Sequence, residues 1–192
     1  NDAMVADSVL NQFINGAIRQ VAMSQDWDWN YSSETITSVV DQAGYTPAAG
    51  WRKTDRIIDI ADGGLLAQIS KKQSARYNPS SSGRTNHTPR FWYVEGGSIY
   101  LIPTPTTVRQ YKHTYVAAEP TLSADTDVPD IPDWAIDIVI VKAALMVTAR
   151  TDNTSQQRLL AEEERDLWLS MEDESRRARG PAVTQTRRDW SV

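Results

Sequence analysis

The hydrophobic period of this chain changes twice, and that change bounds what it can fold into. Val5, Val9, Leu10, Phe13, Ile14, Ile18 and Val21 recur at three- and four-residue intervals. That spacing is one face of a helix over about residues 2–24. It breaks at SQDWDWNYSS, where Trp27, Trp29 and Tyr31 alternate as in an extended segment. From about residue 31 to 118 the signals are those of strands. TITSVV is rich in β-branched residues, RIIDIADGGLLAQIS reads as two short strands around Asp62, Gly63 and Gly64, and VRQYKHTYVA supplies another strand. Helical signals return after Pro132. Residues 134–149 are apolar nearly all round, with Asp137 and Lys142 the only charges, which describes a buried helix.

The most specific local pattern is RFWYVEGGSIYLIP. Gly96 and Gly97 form a two-residue hairpin turn, where a positive φ costs a glycine little. That turn fixes the register: Val94 opposite Ile99, Tyr93 opposite Tyr100, Trp92 opposite Leu101. Pro103 and Pro105 end the second strand, because neither can donate to a ladder.

Two segments fit neither period. Residues 71–90, KKQSARYNPSSSGRTNHTPR, are polar and carry no acidic side chain; Lys71, Lys72, Arg76, Arg84 and Arg90 are the only charges between Asp62 and Glu95. A loop of that length is either solvated or an arm that touches a partner chain or a phosphate backbone. The last residues, 179–192, are extended in character and basic, with Gly180 and Pro181 stopping the preceding helix. Trp190 near the end suits a tail held by a partner, since an exposed indole is otherwise a liability. Before it, Leu160, Leu167, Trp168 and Met171 give a charged helix one narrow apolar stripe, and Thr154 with Gln157 has capping-box spacing for its start.

These signals predict an α+β fold. A small helical bundle, built from an N-terminal helix and two C-terminal helices, carries an inserted antiparallel β-rich domain and an extended C-terminal tail. The boundaries are 1–26 for the first helix, 27–118 for the insert, 119–178 for the acidic loop and two helices, and 179–192 for the tail.

Composition narrows the chemistry. With no cysteine among 192 residues, disulfides, thiolate catalysis and Cys-ligated metals are excluded. A formal charge of −5 gives no global reason to bind nucleic acid or an anionic membrane, and there is no apolar run of transmembrane length. Seven tryptophans against two phenylalanines suit buried contacts, within the chain or between copies. There is no phosphate-cradling glycine loop and no G-x-S-x-G elbow, and His87 and His113 belong to no metal motif.

The one acidic cluster is DTDVPDIPDW, Asp125 to Trp134. Asp125 and Asp127 begin like a calcium loop. Position six of that loop is then Asp130 rather than Gly, and position twelve is Ile136 rather than Glu. A helix start explains more. Pro132 suits a first turn, and Asp130 and Asp133 bring carboxylates to the positive end of the helix dipole. Asp125 and Asp127 are left as a polar turn that faces water or a neighbouring subunit.

The order of these features resembles the head–tail adaptor, or neck, proteins of tailed bacteriophages, over roughly residues 5–175. It runs from an amphipathic helix through W-x-W, the Tyr93-to-Pro105 hairpin, Tyr115 with Pro120 and Leu122, the D-x-D-x-P-x-x-P loop from Asp125 to Pro132, to an apolar and then a charged helix. The resemblance implies a homo-oligomeric ring, commonly of twelve subunits, between the capsid portal and the stopper or tail-completion protein. Double-stranded DNA passes through the lumen, with no catalysis, cofactor or membrane, and the location is the virion neck after assembly in the host cytoplasm. It also implies that the C-terminal tail reaches the portal, which makes Arg179, Arg187, Arg188 and Trp190 the candidate portal contacts. Lys71, Lys72, Arg76, Arg84, Asp125 and Asp127 are candidate subunit or partner contacts. The alternatives are another virion module (a tail terminator or minor capsid protein), a nucleic-acid binder using residues 71–90, or a metal-dependent hydrolase using the aspartates from Asp125 to Asp133.

Overall fold

The computed structural model describes residues 7–77, 88–124, 126–150 and 153–178. Its α+β chain divides into two compact units. One holds the chain up to Trp29 and from Glu119 onward; the other is Asn30–Ala118.

The first unit is helical. Helix α1 (Asp7–Ser24) buries Ala17, Ile18, Val21 and Ala22, one side of the period read from the sequence. A short 3-10 turn at Asp133–Ala135 leads into the apolar helix (Ile136–Arg150), and the long charged helix (Thr154–Ala178) follows. The core joins Ala17, Ile18, Val21 and Trp27 to Ile131, Ala135, Ile138, Val139, Ala143 and Met171. The W-x-W segment is not extended. Asp28–Asn30 is a 3-10 turn, and both indoles fold into the helical core. Trp27 stacks on Trp29 at 4.5 Å and on Trp168 at 6.1 Å, and Trp29 meets Trp134 edge-on at 5.1 Å. Four of the seven tryptophans are therefore engaged with one another inside this unit.

The charged helix starts one residue away from its expected cap. Asn153 Oδ1 accepts from the Gln156 amide at 3.2 Å, and Asn153 Nδ2 donates to Gln156 Oε1 at 3.0 Å. Gln157 instead donates to the Thr148 carbonyl at 2.8 Å, tying this helix to the end of the preceding one. Asn153→Ala is thus expected to lower stability by about 1 kcal/mol, while Thr154→Ala leaves it nearly unchanged, as read by chemical denaturation.

The second unit is two sheets. Strands β1 (Tyr31–Thr37), β7 (Gln110–Ala117) and β3 (Trp51–Asp59) form an antiparallel sheet in the order β1-β7-β3. Strands β2 (Gly44–Tyr45), β6 (Ser98–Ile102), β5 (Phe91–Glu95) and β4 (Ala67–Gln68) form the other. The β5–β6 hairpin has the register set by its diglycine turn: Val94 pairs Ile99, Tyr93 pairs Tyr100 and Trp92 pairs Leu101. Gly96 and Gly97 have φ of 56° and 77°. Strand β4 pairs β5 in parallel, an exception to the antiparallel expectation. The core between the sheets holds Ile36, Ile57, Trp92, Ile99, Leu101 and Tyr111.

Residues 71–90 are not loop throughout. Lys71–Tyr77 is helix α2, which makes the apolar and charged helices of the first unit α3 and α4. Ser70 and Gln73 build its capping box: the Ser70 amide donates to Gln73 Oε1 at 2.9 Å, and the Gln73 amide donates to Ser70 Oγ at 3.3 Å. Tyr77 then packs on Phe91 of β5, with ring centroids 4.4 Å apart.

Candidate functional site

The second unit contains a hydroxyl–imidazole–carboxylate chain that no sequence motif announced. Glu34 of β1 pairs His113 of β7 directly, and Thr54 of β3, which pairs Tyr115, reaches His113 diagonally. Trp51 Nε1 donates to Thr54 Oγ1 at 3.1 Å, and the same hydroxyl lies 2.9 Å from His113 Nε2, which accepts from it when the neutral ring carries its proton on Nδ1. His113 Nδ1 then donates to Glu34 Oε1 at 2.8 Å, and the Ala48 amide donates to the same oxygen at 3.1 Å. The order resembles that of a hydrolytic triad, but its setting is a sheet interior. His113 is fully buried and Thr54 is 7% exposed, so no substrate carbonyl reaches the hydroxyl. The network pins three strands together.

Its charge state follows from burial. Desolvation pushes the His113 pKa below 6.5, against the opposing pull of its hydrogen bond to Glu34 and of that carboxylate's charge. Above pH 6.5 the imidazole is neutral in both folded and unfolded chains, so the stabilisation of this network is fully present. As pH falls through that value the unfolded chain takes up a proton that the folded chain resists, and stability is lost down to the lowered folded pKa. The melting temperature of the β unit should therefore fall between pH 7 and pH 5, and His113→Phe should remove that component of the decline.

The acidic stretch resolves into local roles. Asp127 Oδ2 accepts from the Ser123 amide at 2.6 Å and the Ala124 amide at 2.8 Å. Those N–H groups, Ala124 first and then Ser123, hold its carboxyl below the ordinary aspartate value. Pro132 stands at the N-cap of the 3-10 turn rather than inside it, and as a proline it has no side chain to cap with. Asp133 and Asp137 put carboxylates into successive first turns, facing the helix dipole. Among the described residues no three His, Asp or Glu side chains are grouped to hold a metal ion, and no helix is long and apolar enough to cross a membrane.

Of the candidate contact residues, Lys71 is ion-paired with Glu95, while Lys72 and Arg76 lie exposed on α2. Arg84, Asp125, Arg179, Arg187, Arg188 and Trp190 lie outside the described residues.

The surface best built for a partner is one the sequence hid. Helix α3 reads as buried all round, yet within the chain it leaves Ile140 uncovered and Ala144 and Val147 only partly buried. Ile138, Val139 and Val141 are buried, whereas Ile140 is 58% exposed. Ile140, Ala143, Ala144 and Val147 line a groove of about 640 Å³ with Leu10 and Ile14 of α1. The opposite flank is held by Lys142, whose Nζ is 2.6 Å from Glu164 of α4 and 5.7 Å from the Trp168 ring.

A family model described as SU10 adaptor protein matches residues 1–189. The chain belongs to the SU10 adaptor protein family. No curated protein matches it. Membership agrees with the resemblance to phage adaptors and makes this chain a phage adaptor, a structural component of the virion. In this SU10 adaptor the α3 groove escaped sequence reading because apolar content all round a helix does not tell which of its side chains the rest of the chain leaves uncovered. The His113 network escaped because its members come from three strands far apart in sequence.

Proposed function

We propose that this adaptor works in the neck of the phage. Its copies form a ring, commonly of twelve, between the capsid portal and the stopper or tail-completion protein. Genomic DNA passes through the lumen without sequence-specific binding and without catalysis. The observation that carries the reading is the apolar groove on α3: a side chain such as Ile140 gains roughly 1.5–3 kcal/mol when fully buried, so covering it together with Leu10 favours association. The net charge of −5 suits a channel wall along which phosphates slide, because cationic linings hold DNA strongly. Arg179, Arg187, Arg188 and Trp190 are the proposed portal contacts, and Lys72 and Arg76 on α2 remain available to a partner.

The test is assembly on the portal. Mixed with the portal of the same phage, the wild-type chain should form rings visible by electron microscopy. Ile140→Glu, at an exposed position, should fold normally and fail to form them. Rings that form unchanged with Ile140→Glu would remove the groove from the interface, and a wild-type chain that never joins its portal would remove the reading itself. Trp190→Ala should weaken portal docking without unfolding either unit.

A further inference from the structure

The two edges of the β1-β7-β3 sheet are unlike. Strand β3 carries Arg52, Lys53, Asp55 and Arg56, and its register shifts twice, between Trp51 and Lys53 and between Thr54 and Arg56. Charges and bulges of that kind keep an edge from pairing with foreign strands. In the other sheet, the edge strands β2 and β4 are only two residues long. Strand β1 has none of these protections. It runs YSSETIT for seven residues in unbroken register with β7, and among the described residues β7 is its one partner strand. Its single charge, Glu34, is turned to His113, while Ser32, Ser33, Thr35 and Thr37 are exposed. A long, regular, uncharged edge is a template for one more strand.

We infer that β1 accepts residues Ala182–Thr186 of a second copy as an added strand. Outside the described residues, AVTQT is the run with β-branched residues at three of five positions and neither glycine nor proline; residues 78–87 contain Pro79 and Gly83. Five residues span roughly 16 Å and fit within the roughly 23 Å of β1. With Val183 on the face of Ile36, Thr184 and Thr186 come to the face of Ser33, Thr35 and Thr37, where hydroxyl side chains pair across strands. Arg187, Arg188 and Trp190 stay beyond the strand, free for the portal. The occupant is a second copy because this contact is head-to-tail. Edge-to-edge pairing of β1 with β1 is two-fold and stops at a dimer, whereas a donated strand repeats from copy to copy and can close a ring. The inference rests on the ring reading.

Amide exchange at Tyr31–Thr37 tests it, on the full chain, free and assembled on its portal, for wild type and Val183→Pro. Assembly should slow those of these amides that do not bond β7 by about tenfold or more in wild type, and the slowing should vanish in Val183→Pro. Thr35→Lys, which charges the edge at an exposed position, should abolish it in the same way. Wild-type rings with unprotected β1 amides, or protection that survives Val183→Pro, overturn the strand while leaving the ring intact. Protection already complete in the dilute free chain overturns the second copy as donor. A wild-type chain that never assembles overturns both.

Discussion

Replacing Trp27 with alanine is expected to destabilise the helical unit by about 3–5 kcal/mol, the range for removing a large buried aromatic side chain. The indole is fully buried, stacks on Trp29 and Trp168, and so joins the end of α1 to α4. Its Nε1 also donates at 2.8 Å to the carbonyl of Val21 in the last turn of α1, which accepts from the Ser24 hydroxyl at 2.7 Å as well. Alanine therefore removes a stack, leaves a cavity and takes away one hydrogen bond from a helix end. Trp27→Phe keeps part of the ring contact and loses the bond, so its loss should be smaller. Denaturant unfolding followed by helical circular dichroism measures both. A loss below about 1 kcal/mol for the alanine variant would mean that the tryptophan cluster does not hold the helices together.

In the β unit the corresponding variant is Asp59→Ala, with an expected loss of about 2–3 kcal/mol. The Asp59 carboxylate is buried at the end of β3. It accepts from Arg109 at 2.5 Å and from the Ala61 amide at 2.9 Å, closing the turn after the strand. Without it, Arg109 retains only Asp62, at 3.7 Å, among the ion pairs it makes. The Arg109 side chain is 26% exposed, so water offsets part of the lost pairing, and the figure lies below that of a fully buried ion pair. Burial, with the Asp59 charge second, also pushes the neighbouring Tyr111 phenol up to about 12. The alanine variant should let that phenol titrate at lower pH, which ultraviolet difference spectra would register. Asp59→Asn keeps an acceptor for Ala61 and should cost less than alanine. Equal losses for the two would assign the effect to the charge rather than to the side-chain volume or the bond to Ala61.

The parts of the fold legible in the sequence were those governed by local chemistry. The Gly96-Gly97 turn determines its own hairpin, so the pairs from Trp92–Leu101 to Val94–Ile99 could be read directly. The helical period gave α1, and the apolar run after Pro132 gave α3. Errors arose where two local signals compete. Trp27 and Trp29 alternate like a strand, but the gain from stacking indoles inside the helical core outweighs that pattern. Ser70 and Gln73 held a capping box inside a polar stretch, and the lack of an apolar stripe hid the helix it starts. The cap of α4 moved from Thr154 to Asn153 because both residue types cap well and one spacing cannot choose between them. The α3 groove was least legible. The DTDVPDIPDW stretch drew attention by charge, yet Asp127 is satisfied by its own turn, whereas the α3 groove is lined mostly by ordinary Ile, Leu, Ala and Val side chains.

The central claim is that copies of this chain close into a ring at the portal. A cryomicroscopy reconstruction of the virion neck tests it most directly. The account predicts a closed ring of this chain against the portal, with Ile140 covered by the neighbouring copy and DNA in the lumen. Density for the chain at the tail terminator or capsid wall, or isolated copies with the α3 groove open to solvent, would contradict it.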